Sequence, residues 1–245
     1  MEFSGKVAMV TGASVGIGRA VALQFAEKGA NLVLLDIDGE KLRSLCEELS
    51  RFAVEALPFV CDVSDEKAVG ESVRSAFEHF GGIDILVNNA ALWRDASPFT
   101  ETSAQVWKRY LDINVMGVVY CTKAVLKNML DNVYGRIVNV ASVAGVYGNA
   151  NMVHYSATKG ALIAMTRALA KEVSGKGVLV NAVSPGSVSP SENGDIDYSV
   201  PSELSFMGRS GTDRENANLI CFLASDDASY IAGQNIQIDG CRKKQ

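Results

Sequence analysis

The sequence predicts an α/β fold: one domain, 1–245, built on a doubly wound parallel sheet of about seven strands. Two observations lead there. Short apolar runs recur along the chain, alternating with stretches whose apolar residues fall at three-to-four spacing. The runs are apolar throughout, as strands buried on both faces are. A third observation, a glycine cluster directly after the first run, points to what the fold carries.

The elements read in order. "KVAMVT" is the first strand, and "IGRAVALQFAEKG" the first helix, closed by Gly29. "NLVLLD" is the second strand and "GEKLRSLCEELSRF" the second helix, with Asp38 placed to cap it. "EALPFVCD" is the third strand. Ser64 is the expected cap of the next helix, with Asp65 and Glu66 in its first turn. "IDILVNN", "GRIVNVAS", "GVLVNAVS" and "NIQIDG" complete the strands. Two helical stretches are expected between the fourth and fifth, the second running roughly over 102–129. "TDRENANLICFLAS" opens with a capping box, Thr212 with Glu215. The segment 185–211 holds three of the five prolines and fits no element, so it is expected to be a substrate loop.

Composition narrows the function classes. The 245 residues are 48% hydrophobic and 21% charged, with a formal net charge of -5. A mildly acidic chain without a basic stripe argues against nucleic-acid binding. No apolar run approaches the ~18 residues of a membrane span, and the N-terminus does not read as a signal peptide. The five cysteines form no CxxC pair and the two histidines lie far apart, so neither a disulfide framework nor a metal site is expected. A cytoplasmic location follows from that cysteine usage. The basic end "CRKKQ" reads as a solvated tail.

The glycine cluster is "TGASVGIG", with Gly12, Gly16 and Gly18. Between a buried strand and a helix, this spacing suits a Rossmann-type turn. Gly12 allows the tight bend, Gly16 lets backbone N–H groups approach a pyrophosphate, and Gly18 lets the helix pack closely. The second strand ends at Asp36. A carboxylate there can accept from both ribose hydroxyls of an adenosine and repels a 2′-phosphate, which favours NAD over NADP. "VHYSATKG" then sets Tyr155 and Lys159 one helical turn apart. That spacing alone fits either acid–base chemistry or an ordinary wet helix face.

With these pieces on the page, the chain resembles the short-chain dehydrogenase/reductase family along nearly its whole length. The matches come in family order: "TGASVGIG", Asp36, "CDVSD" at 61–65, "NNAA" at 88–91, Asn114 in "LDINVMG", Ser142 in "NVASVAG", "YSATK" at 155–159, "PG" at 185–186 and the C-terminal "FLASDDASYIAGQNIQIDG". The resemblance implies a catalytic tetrad of Asn114, Ser142, Tyr155 and Lys159. Tyr155 would be the acid–base group, its pKa lowered by Lys159. Ser142 would hold the substrate oxygen, Lys159 also the nicotinamide ribose, and Asn114 a water leading from Lys159 to solvent.

The same resemblance implies NAD held by Gly12, Ser14, Gly16, Ile17 and Gly18, by Asp36, by Asp62 and Val63 at the adenine, and by Asn88, Asn89, Ala90 and Ala91. Pro185, Gly186 and Val188 would lie under the nicotinamide. Three positions depart from the family pattern: Ala91 and Cys241 replace glycines, and Pro190 stands where a threonine commonly meets the carboxamide. Ser189, Ser191 or neither takes over that contact.

The expected reaction interconverts a secondary alcohol and a ketone with NAD(H). From Gly177 to Gly208 there is no Lys or Arg, so a neutral, partly apolar substrate is expected. Hydroxysteroids or bile acids, cyclic alcohols and sugars fit. Trp93, Tyr147, Asn149, Met152, His154, Tyr198, Phe206 and Met207 are candidate wall residues. A 3-oxoacyl-carrier-protein reductase is the alternative, with Lys123, Lys127, Arg167 and Lys171 available to dock an acidic carrier. A catalytically silent dinucleotide sensor is the alternative of another class. The family also implies a homotetramer, its long helices over 102–129 and 153–173 pairing across two-fold axes.

Overall fold

The computed structural model describes residues 2–189 and 199–243. Seven parallel strands form one sheet in the order β3-β2-β1-β4-β5-β6-β7. They are β1 Val7–Thr11, β2 Asn31–Asp36, β3 Ala56–Val60, β4 Ile85–Asn88, β5 Gly135–Val140, β6 Val178–Pro185 and β7 Asn235–Ile238. The helices are α1 Gly16–Glu27, α2 Gly39–Leu49, α3 Glu66–Phe80, α4 Ala104–Leu111, α5 Gly117–Asp131, α6 Ala144–Tyr147, α7 Val153–Val173 and α8 Asp213–Ala224.

The uninterrupted hydrophobicity of the strands has a direct cause. Ala8 and Val10 of β1 pack into one apolar cluster with α1, α2 and α8, while Val7 and Met9 pack into a second with α3 and α5. Successive side chains point to opposite faces, and both faces are covered. No helix among the described residues is long and apolar enough to cross a membrane.

The strand order reverses between β1 and β4, which both leave the sheet at the same edge. Crevices form at such reversals, outside the carboxyl ends of the strands. The residues that follow β1, β2, β4, β5 and β6 all open onto that side.

Helix ends follow their capping chemistry where a side chain supplies it. Asp38 accepts from the Lys41 N–H at the start of α2, and Thr212 and Glu215 form a full capping box on α8. Ser64 does not cap α3, contrary to expectation. Asp65 does, accepting from Lys67 and Ala68 N–H groups, while the Ser64 hydroxyl donates to Asp62. The two helical stretches expected between β4 and β5 also differ. The first is only a 3₁₀ turn at Phe99–Glu101. The second is α4 and α5 joined through a π turn at Asp112–Met116.

The C-terminal tail is not simply solvated. Cys241 accepts from the Phe206 N–H, Gly240 from the Met207 N–H, and the Lys243 N–H donates to Leu204. Residues 240–243 therefore run antiparallel to 204–207 of the substrate loop, with Ser205 bridging Arg242.

Candidate active site

The glycine turn is built by close approach. Gly12 and Gly16 have φ of +60° and +54°, in the left-handed region where a side chain is strained. A Cβ on Gly18 would stand 2.0 Å from the Gly12 carbonyl oxygen, so only glycine fits beneath the turn. Asn89 fastens the turn from β4: its Nδ2 donates to the Thr11 and Gly12 carbonyls at 3.0 and 2.9 Å. Thr11 Oγ1 accepts from the Asn89 and Ala90 N–H groups, both at 3.0 Å.

This turn fits a dinucleotide pyrophosphate. α1 begins after Val15 with no side chain closing its first turn and no acid within it. Its N–H groups and the positive end of its dipole stay available to an anion. Ser14 Oγ is buried beside it without a hydrogen-bond partner. At the end of β2, Asp36 is buried, and its carboxylate oxygens accept from Ser14 N–H at 2.8 Å and Asp38 N–H at 3.0 Å. Each oxygen keeps a lone pair for a ribose hydroxyl. Asp62 is exposed and Val63 is buried against Gly117, next in line after β3.

Asn88 departs from the expectation that it lines the cofactor. Its Nδ2 donates to Asn139 at 2.9 Å and Thr122 at 3.3 Å, and Asn139 in turn donates to Thr166. That buried polar cluster ties β4 and β5 to α5 and α7. On the far side, Gly186 packs so close to Asp239 that a Cβ would stand 2.7 Å from it, and Val188 bridges Gly211. Ser189 turns its hydroxyl to Ser210 at 2.7 Å, inside the substrate loop. Pro190, Ser191 and Tyr198 lie outside the described residues.

Ser142, Tyr155 and Lys159 come together between the end of β5 and the first turns of α7. Ser142 Oγ accepts from Ala144 N–H and lies close enough to the Tyr155 phenol to lower its pKa. Lys159 is fully buried, its Nζ donating to the Val140 carbonyl at 2.7 Å and standing 5.8 Å from the Tyr155 ring centre. Asn114 sits in the π turn with no exposed surface. Its Oδ1 accepts from Leu92 N–H at 2.7 Å, and its Nδ2 donates to the Leu92 carbonyl and to Thr158. Both Nδ2 hydrogens are used, while Oδ1 keeps one lone pair. The shift from i−4 to i−5 bonding leaves one carbonyl of the π turn without an intrahelical donor, and such turns cluster at functional sites.

The electrostatics differ from the expectation that Lys159 lowers the Tyr155 pKa. Burial raises it, and the Ser142 hydroxyl only partly offsets this. Burial also pulls Lys159 down from 10.5 to about 7. A buried ammonium with one carbonyl partner is poorly solvated, so the lysine gives up much of its charge near neutrality. Tyr155 is therefore a protonated phenol at neutral pH, beside a lysine that titrates there.

Among the expected substrate-wall residues, His154 is instead core: it is buried, stacks edge-on against Tyr110 and Trp107, and its Nε2 meets the Asp95 carbonyl. Trp93, Tyr147, Phe206 and Met207 are exposed. Asn149 donates its N–H to Ser156 Oγ, next to Tyr155, and accepts from Arg242. Thr11, Asn139, Thr158, Thr166 and Arg242 were not singled out from sequence. Each acts through a partner distant in the chain, which no local pattern announces.

Residues 12–241 match the family model described as enoyl-(acyl carrier protein) reductase. A 3-oxoacyl-[acyl-carrier-protein] reductase FabG of Thermotoga maritima is 40% identical over 243 residues, 98% of each chain. The chain belongs to the short-chain dehydrogenase/reductase family. Another member, the (2S)-[(R)-hydroxy(phenyl)methyl]succinyl-CoA dehydrogenase subunit BbsD of Thauera aromatica, is 38% identical over 245 residues, 99% of this chain and 98% of its own. A crystal structure of NAD+-bound xylitol dehydrogenase superposes with a TM-score of 0.89 at 37% identity, covering 98% of this chain and 100% of that one. The chain is thus an oxidoreductase of the alcohol/ketone type with a nicotinamide cofactor.

The depressed Lys159 pKa has a consequence for stability. Between about pH 7 and 10.5 the unfolded chain holds a proton on Lys159 that the folded chain does not, so this group's contribution to stability rises with pH across that window. Lys159→Met keeps the buried stem and deletes the charge. The variant should resist urea better than the unaltered protein at pH 7, with the advantage shrinking towards pH 10. Tyr155 is present in both proteins, so its titration cancels. Urea midpoints at both pH values check this, and an advantage that stays level or grows would contradict it.

Proposed function

We propose that the chain is an NADH-linked reductase of 3-oxoacyl thioesters, converting the 3-keto group to a 3-hydroxyl. The observation that carries the reading is the Tyr155–Ser142 pair. With its pKa raised by burial, Tyr155 rests as a proton donor, the form that carbonyl reduction consumes. Two of the relatives above are named for acyl thioesters, one on a carrier protein and one on CoA. Asp36 supports NADH over NADPH, because a 2′-phosphate would meet a buried carboxylate.

The roles of the chain's residues follow from their placement. Asn89 and the glycines hold the turn against the pyrophosphate, and the bound dinucleotide supplies the hydride that reaches the carbonyl carbon. Ser142 donates to the carbonyl oxygen and positions it by Tyr155. The phenolic proton passes to that oxygen as it gains charge. Lys159, titrating near neutrality, returns a proton to the phenolate and can meet the nicotinamide ribose with its remaining N–H groups.

A second reading is an NAD+-linked dehydrogenase of polyols or related secondary alcohols. The likeness to NAD+-bound xylitol dehydrogenase, with the Asp36 carboxylate, favours it. Of the substrate classes read from sequence, cyclic alcohols and sugars belong to this second reading. Nothing in the site singles out a steroid.

The test is a steady-state assay at the nicotinamide absorbance, with a 3-oxobutanoyl thioester or xylitol and either dinucleotide. NADH-dependent reduction of the thioester, lost in Tyr155→Phe while NADH still binds, is expected. Replacing Asp36 by Ala and Ile37 by Arg together should move the preference towards NADPH. Faster turnover of xylitol would select the second reading, and NADH binding without turnover of either would leave a sensor.

We also propose a homotetramer. The outer face of α7 carries Val153, Ala157, Ala164 and Ala168, all exposed, a smooth apolar strip suited to a second copy of the same helix. Sedimentation at micromolar concentration should give about four times the 26.1 kDa chain mass, and a 26.1 kDa species would refute it.

A further inference from the structure

The tail that the sequence offers as a solvated end carries two cations to the mouth of the site. Residues 240–243 are held by three backbone hydrogen bonds to 204–207, so Arg242 and Lys243 have fixed places. The tail leaves the site's floor at Asp239, whose Cβ crowds Gly186, and its Cys241 N–H donates to Asp239 Oδ1. Lys243 Nζ stands 5.6 Å from the ring of exposed Phe206. Arg242 Nη2 reaches across to Asn149 Oδ1 at 3.3 Å, and Asn149 N–H is bonded to Ser156, the neighbour of Tyr155. The guanidinium thus bridges the substrate loop and the loop that opens α7.

No carboxylate of the described residues neutralises Arg242. Among the described residues its side chain donates to a neutral carboxamide, that of Asn149, and forms no ion pair. The nearby Arg209 differs: it clamps Glu215 with both nitrogens at 2.7 and 2.9 Å, and holds the Glu215 carboxyl down to about 2. Asp239, three residues before Arg242, accepts from the Cys241 N–H, and Glu203, just before the paired residues 204–207, is exposed. A guanidinium with free N–H donors, anchored at the rim and away from the hydride-transfer atoms, suits an anionic group carried far from the reacting carbon.

We propose that Arg242 is a specificity-determining residue that binds the phosphate of a substrate's pantetheine arm at the mouth of the site. The assignment rests on the thioester reading above. It revises the expectation of a wholly neutral substrate, because 177–208 has no cation but the tail brings one to the same mouth. CoA and an acyl carrier protein present the same phosphate, and the test separates them.

The experiment measures KM and kcat for 3-oxobutanoyl thioesters of CoA, of an acyl carrier protein and of neutral N-acetylcysteamine, with NADH, in the unaltered enzyme, Arg242→Gln and Arg242→Lys. Loss of one charge-assisted contact predicts a KM about tenfold higher or more for a phosphate-bearing thioester in Arg242→Gln. The neutral thioester should be unaffected, and Arg242→Lys should recover part of the loss. A shift confined to CoA identifies CoA as the source, and one confined to the carrier identifies the carrier. Equal KM shifts for all three thioesters would make Arg242 a loop fastener and overturn the assignment, as would no shift in any. If the unaltered enzyme reduces none of the thioesters, the thioester reading fails and this assignment falls with it.

Discussion

The site is organised around a buried ammonium with too few partners. Lys159 sits wholly inside, on a helix packed against the sheet, with Nζ bonded to one carbonyl. A charged lysine there costs stability unless other acceptors complete its shell, so the group loses its proton near neutrality. The surrounding residues hold that arrangement in place. Gly145 lets α6 approach the Lys159 backbone, where a Cβ would stand 2.6 Å from it. The cluster of Asn88, Asn139, Thr122 and Thr166 locks β4 and β5 onto α5 and α7. Asn114 and Thr158 tie the π turn to the same helix. Fixed in this way, the Lys159 ammonium stays buried against the Val140 carbonyl.

Much of the fold was legible because the physics that makes it is local or periodic. Strands covered on both faces must be apolar throughout, and the runs at 7–11, 31–36 and 178–185 say so directly. The glycine turn was legible because only glycine tolerates positive φ with backbone at contact distance. Helix starts were legible where one capping residue stood alone, as at Asp38, or where a glutamate three residues on completed a capping box, as at Thr212 and Glu215. At Ser64–Asp65 two capping types are adjacent, and only the extended backbone at Asp65 decides between them. The π turn at 112–116 leaves no mark in composition, since a one-residue change of hydrogen-bond register needs no special residue.

The site shows the same division. The Tyr155–Lys159 spacing and the Asp36 position could be read from the chain, because each depends on one element. The sense of the Tyr155 shift could not. It depends on how deeply α7 is buried and on where Nζ points, and both are set by long-range packing. His154 looked like a wall residue by adjacency, yet its ring faces Trp107 and Tyr110, a partnership set by how α4 crosses α7. The tail was misjudged for a related reason: backbone pairing between 204–207 and 240–243 has no sequence period, and "CRKKQ" shows only its charge.

The most direct measurement is the ionisation of Lys159 itself, followed by carbon NMR at its Cε with labelled lysine, with and without NADH. The account predicts one lysine titrating near pH 7 in the free protein, absent from Lys159→Met, and moving upward when the dinucleotide adds acceptors around Nζ. A Lys159 that titrates near 10.5 in the free protein would contradict it.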